Sequence, residues 1–128
     1  MAGFKRPGDP NKPPEYDKLG NYKNHLVLIR PKQYGPQPTR DYGVATVLFS
    51  DVIIPEPENG SGSYLNLGDN VPIFWKKVQR QLDESIGEWT GGILRQGSKD
   101  NAQEWWIDDA SEADIEVLEA VLKSIEDY

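Results

Sequence analysis

Residues 91–111 read GGILRQGSKDNAQEWWIDDAS. Two runs suited to strands, GGILRQ and EWWID, flank a polar loop, and Ser111 then has the side chain to cap a helix in which Asp114 occupies the third position. Successive side chains of a strand point to opposite faces, so Trp105 and Ile107 share one face while Trp106 and Asp108 share the other. The face with isoleucine is the better core face. Trp105 is therefore expected inside, and Trp106 is the indole left for the surface, for the N-terminal arm or for a ligand.

Working outward, Trp75, Val78, Leu82 and Ile86 recur at three- and four-residue intervals, which predicts a helix of about three turns stopped by Gly87. After Ser111, the residues Ile115, Leu118, Val121, Leu122 and Ile125 form the apolar stripe of a second helix, expected to close part of the barrel. Upstream, HLVLIR is a compact apolar run suited to a strand buried on both faces and ended by Pro31. PKQYGPQPTRD reads as a loop. YGVATVLFSDVII is rich in β-branched residues and long for a strand, with Gly43 or Ser50 as bend sites. PEPENGSG is a turn cluster, and SYLNLGDNVPIF supplies one interrupted strand or two short ones.

The resulting order is strand, strand, strand, helix, strand, strand, with a final helix appended. The fold class expected from it is mainly β: an OB-fold, the five-stranded Greek-key barrel, with a helix between strands 3 and 4. Residues 1–24, with four prolines among Gly, Lys and Asn, read as a flexible arm. The barrel is expected over 25–109 and an acidic helix over 110–128.

At 128 residues the chain can build one modest core. No stretch has the length of a membrane-spanning helix or the apolar run of a secretory signal, so a cytoplasmic protein without membrane contact is expected. There is no cysteine, and His25 stands alone. With no Walker sequence or dinucleotide fingerprint either, no enzyme, cofactor or metal site is expected. The net charge of −7 is unevenly spread: residues 1–50 carry +4, residues 51–100 carry −3 and residues 101–128 carry −8. An acidic protein of this kind can still present a basic surface.

GGILRQGSK, followed after a polar gap by WWIDDASEAD, resembles the C-terminal half of bacteriophage single-stranded-DNA-binding proteins of the OB-fold type. Gly92, Leu94, Arg95 and Gly97 match the family's glycine-aliphatic-arginine strand. Trp105, Ile107, Asp109, Ala110 and Ser111 match its second element, and ATVLFSDVII, with Asp51, resembles its long second strand. The likeness spans residues 44–115; the arm, Trp106 and the acidic end stand outside it. It implies sequence-tolerant binding of single-stranded DNA in replication or recombination, in the cytoplasm of a bacterial host.

Such binding needs cations along the backbone and aromatic faces for the bases. The expected contacts are Lys32, Tyr34 and Arg40 after the first strand, Tyr42 and Phe49 on the second, Tyr64 on the third, and Arg95, Lys99 and Trp106 around the last loop. Phe49 also suits a core position. Lys76, Lys77 and Arg80 suit a solvated helix face. The acidic C-terminal segment is a candidate docking surface for replication or recombination proteins, and a homo-oligomer is compatible with the sequence. The alternative is a small β-barrel interaction or assembly module whose aromatics anchor a protein interface.

Overall fold

The computed structural model describes residues 19–39, 41, 43–97 and 102–126. In chain order these form a short 3-10 helix (Leu19–Tyr22), β1 (Leu26–Pro38), β2 (Val44–Pro55), β3 (Tyr64–Ile73), α1 (Lys76–Leu82), β4 (Thr90–Gln96), β5 (Trp105–Asp108) and α2 (Glu112–Glu126). The strands make one antiparallel sheet in the order β3-β2-β1-β4-β5. The sheet is open, with β3 and β5 at its edges, and no pairing joins them among the described residues. The architecture is mainly β, a five-stranded antiparallel open sheet with two helices, consistent with a barrel-like fold. Neither helix is long and apolar enough to cross a membrane.

Alternation along β1 sets the two faces. Val27 and Ile29 join Leu48, Val52, Ile54, Ile73 and Leu94 in the main core, which Val78 and Leu82 of α1 complete. Leu26 and Leu28 point the other way, to a second cluster with Ile53 and with Leu118, Val121, Leu122 and Ile125 of α2. The run LVLI is thus apolar throughout because both of its faces are covered. The helix α2 lies on the face opposite α1, not over the main core as expected. Ile115 begins the stripe but is 44% exposed, one turn before the helix meets the sheet.

The paired glycines of the opening stretch serve one face each. A Cβ on Gly91 would stand 2.6 Å from Leu118 Cδ1, so bare backbone is what seats α2. A Cβ on Gly92 would stand 2.5 Å from both Asp108 O and Ile107 Cγ2. At the start of α2, Asp114 N donates to Ser111 Oγ at 3.2 Å and Ser111 N donates to Asp114 Oδ2 at 3.4 Å, a reciprocal cap.

Three expectations need correction. First, β1 does not end at Pro31 but runs to Pro38, with a register shift between Pro31 and Gln33. A proline can occupy a strand where its missing N–H would point away from the partner. Thr39 N donates to Gly43 O, which by alternation makes 35 and 37 the bonding positions of β1 and leaves Pro36 and Pro38 on the outward ones. Because β4 pairs only with Leu26–Ile29 and β3 reaches only to Leu48, Gly35–Pro38 and Val44–Val47 pair as a two-stranded ribbon projecting past the sheet.

Second, α1 ends at Leu82 and passes into a 3-10 turn over Asp83–Ser85. Ile86 is consequently outside the helix and 44% exposed. Third, the folded domain begins before His25. Residues 1–18 of the expected arm lie outside the described residues, but Leu19 is 2% exposed within the main core, with Tyr22 packed against it. Trp75 and Trp105 stack with centroids 4.3 Å apart and planes 11° apart, beside Gly20.

Candidate functional site

On the α2 side of the sheet, the apolar residues of β1 give way to charge. Arg30 and Asp51 are cross-strand partners. Arg30 Nε and Nη2 donate to Asp51 Oδ2 at 2.9 and 2.6 Å, and the guanidinium carbon lies 4.8 Å from the centroid of the Trp89 ring. Asp51 is only 6% exposed, a depth at which a carboxylate requires such partners. Lys32 Nζ donates to Asp51 Oδ1 at 3.2 Å, Asp69 O at 2.8 Å and Asn70 Oδ1 at 3.1 Å. An ammonium has three protons, so Lys32 is fully used in tying the irregular middle of β1 to that of β3. A cavity of about 550 Å3 opens here, lined by Arg30, Lys32, Asp51, Asp69 and Gly87.

Next along this face, Phe49 stands opposite Gln33. A Cβ on Gly35 would fall 2.8 Å from Phe49 Cε2, so the half-buried ring lies against glycine backbone. Phe49 belongs to neither apolar cluster. Tyr34 projects to the other face, where its hydroxyl points at Asp83 Oδ1 (3.1 Å) and Gln79 O (3.4 Å). Burial, and then the Asp83 carboxylate, push its phenol above the usual tyrosine value.

A second group forms on β4 and β5, where Arg95 and Trp106 are cross-strand partners. Arg95 Nε reaches Asp108 Oδ2 at 3.4 Å and Nη1 donates to Asn24 Oδ1 at 3.0 Å. Trp106 is half-buried, not open. Its Nε1 donates to Gly97 O at 2.8 Å, and Lys77 Nζ, paired to Glu104 at 3.5 Å, stands 5.7 Å from the ring centroid. Trp105 and Ile107 pack on the main core, on the face expected for them.

The six expected contacts among the described residues therefore do not form one groove. Lys32 lies in the middle of β1 and Phe49 on β2 opposite Gln33. Arg95 and Trp106 are neighbours near the start of β1, and α2 crosses the sheet between the two groups. Tyr64 packs on the second apolar cluster beneath α2, and Tyr34 faces α1. Arg40, Tyr42 and Lys99 lie outside the described residues. Sequence reasoning missed Arg30 and Trp89. Alternation within HLVLIR placed Arg30 on the face of Leu28, but nothing local signals the distant indole that underlies it. Among the described residues no three His, Asp or Glu side chains converge as metal ligands.

No family model, curated protein or solved structure matches the chain.

Proposed function

We propose that this chain binds single-stranded DNA with little sequence preference, in replication or recombination of the bacteriophage type that its sequence resembles. The observation that carries the reading is Phe49. Its ring lies against Gly35 on a part of the sheet that α2 leaves uncovered, beside the Arg30 cluster and at the base of the two-stranded ribbon. Aromatic faces of this kind hold bases at about 1 to 3 kcal/mol each, and neighbouring cations follow the backbone. The strand order supports the same reading: with β1 at the centre, β2 and β3 on one side and β4 and β5 on the other, the sheet is compatible with the partly open barrel of an OB-fold. Arg95 and Trp106 then form a separate, secondary contact.

The test is a titration of short deoxythymidine homopolymers and a matching duplex, followed by tryptophan fluorescence. Tight binding of the single strand, weaker binding of the duplex and a loss of affinity with salt are expected. Failure to bind single strands at low salt would overturn the reading.

An assembly module is favoured by a different observation. Val44 on the ribbon is 68% exposed and Leu65 on the edge strand β3 is 40% exposed. Apolar side chains on a projecting ribbon and on an open sheet edge suit pairing with another chain. Self-association that persists at high salt, without single-strand binding, would establish that reading in place of the first.

A further inference from the structure

We infer that the cavity beside Arg30 is a base-reading subsite that takes guanine, so that one position of a bound single strand is selected while the others are not. This rests on the single-strand-binding reading above and adds to it a specificity that stacking does not supply.

Arg30 is a preorganised guanidinium. One edge is fixed by two hydrogen bonds to the buried Asp51, and its carbon is held 4.8 Å from the centroid of the Trp89 ring. Its Nη1 donates to nothing among the described residues, so the second edge, Nη1 with the remaining proton of Nη2, is left for a ligand. A guanidinium edge matches two acceptors side by side. In a single strand such a pair is found on phosphate, on the N7 and O6 edge of guanine and on the O2 and N3 edge of cytosine.

Charge decides against phosphate. Arg30 and Lys32 line the cavity with Asp51 and Asp69, and the four formal charges cancel. A site without net positive charge gives little to a phosphate. It suits a neutral ligand that offers acceptors to Arg30 and donors to a carboxylate.

The Asp69 carboxylate makes no hydrogen bond or ion pair among the described residues, whereas its carbonyl is held by Lys32. Guanine carries two acceptors on one edge and the N1–H and N2–H donors on the next. Adenine and thymine lack the acceptor pair, and cytosine lacks the donor pair. The mouth is clear at Gly87, where a side chain would meet nothing within 4 Å. The volume, about 550 Å3, lies within the roughly 300 to 1,000 Å3 of small-ligand sites. Phe49 is two residues from Asp51 on β2, about 7 Å at strand rise, so a stacked base and a read base fit on one strand.

The experiment compares a deoxythymidine homopolymer with the same strand carrying one central dG, dA, dC or 7-deazaguanine. A single dG is expected to tighten binding roughly 5- to 150-fold, the discrimination of one bidentate pair. 7-Deazaguanine, which lacks the N7 acceptor, should lose most of that gain with no change to the protein. Asp69→Ala should reduce the dG preference to what the Arg30 pair alone supplies and keep the affinity for thymidine strands. Equal binding of all strands, or an undiminished gain with 7-deazaguanine, would overturn the inference and leave single-strand binding standing. Binding of none would remove both.

Discussion

Phe49→Leu keeps an apolar side chain against Gly35 and removes the flat ring. Phe49 is half-buried and the exchange nearly conserves volume, so the free energy of unfolding should fall by less than about 1.5 kcal/mol. Losing one base stack should weaken single-strand binding by about 1 to 3 kcal/mol, roughly 5- to 150-fold. Salt dependence separates this effect from electrostatics. Each neutralised phosphate of a single strand contributes about −0.7 to the slope of log affinity against log salt. Lys32 has spent its three donors, and Arg95 and Lys77 hold carboxylates. Two phosphates neutralised by Arg40 and Lys99 would then give a slope of about −1.4, which a neutral ring does not alter. Fluorescence titrations of parent and variant across a salt series, with denaturant unfolding as control, measure all three quantities. A variant that binds thymidine strands as tightly as the parent would refute the stacking role. A variant whose slope falls with its affinity would show that the ring acts by placing cations.

Gly92→Ala should destabilise by about 1 to 3 kcal/mol in denaturant unfolding, because its Cβ would meet the carbonyl of Asp108 at 2.5 Å and strand backbone does not give way as a flexible side chain does. Leu19→Ala should cost about 2 to 5 kcal/mol, the loss expected of a core leucine and not of an arm residue. Ser111→Ala should cost about 1 kcal/mol by removing the cap of α2. The raised phenol of Tyr34 stabilises the fold fully below the ordinary tyrosine value near 10, and that contribution is lost as pH rises through the higher folded-state value. Tyr34→Phe should therefore flatten the alkaline fall in stability, while ultraviolet titration of the parent shows one tyrosine ionising late.

Elements with a strong local period were legible in the sequence: the apolar run of β1, the alternation that puts Trp105 with Ile107, and the cap and stripe of α2. What was not legible depends on distant partners. Pro36 and Pro38 read as loop because proline lacks a donor, yet they fit β1 on positions where no donor is wanted. Leu19 lies among prolines and glycines, and nothing near it in the chain shows that the main core has room for it. The candidate site divided for the same reason. Trp106 reads correctly as a strand residue, whereas Lys32 reads as a loop residue and lies within β1. Whether an ammonium is free or already holds three oxygens is settled by residues far off in sequence, and whether an indole N–H is open or held by Gly97 depends on the pairing of β4 with β5.

The side chain of Gln81 bears on how copies of this protein can meet. Its amide nitrogen donates to Ile107 O and its amide oxygen accepts from Ile107 N, both at 2.7 Å, so one residue of α1 does at β5 what a neighbouring strand would do. The outward peptide groups at the middle of that edge are thereby occupied from within the chain. A sheet open on both sides can be lengthened without limit, each added molecule offering a fresh template to the next. Of the two edge strands, β3 alone is then left for growth, and two molecules joined there would each present a stoppered β5. Polymerisation through the edge strands would end at a pair.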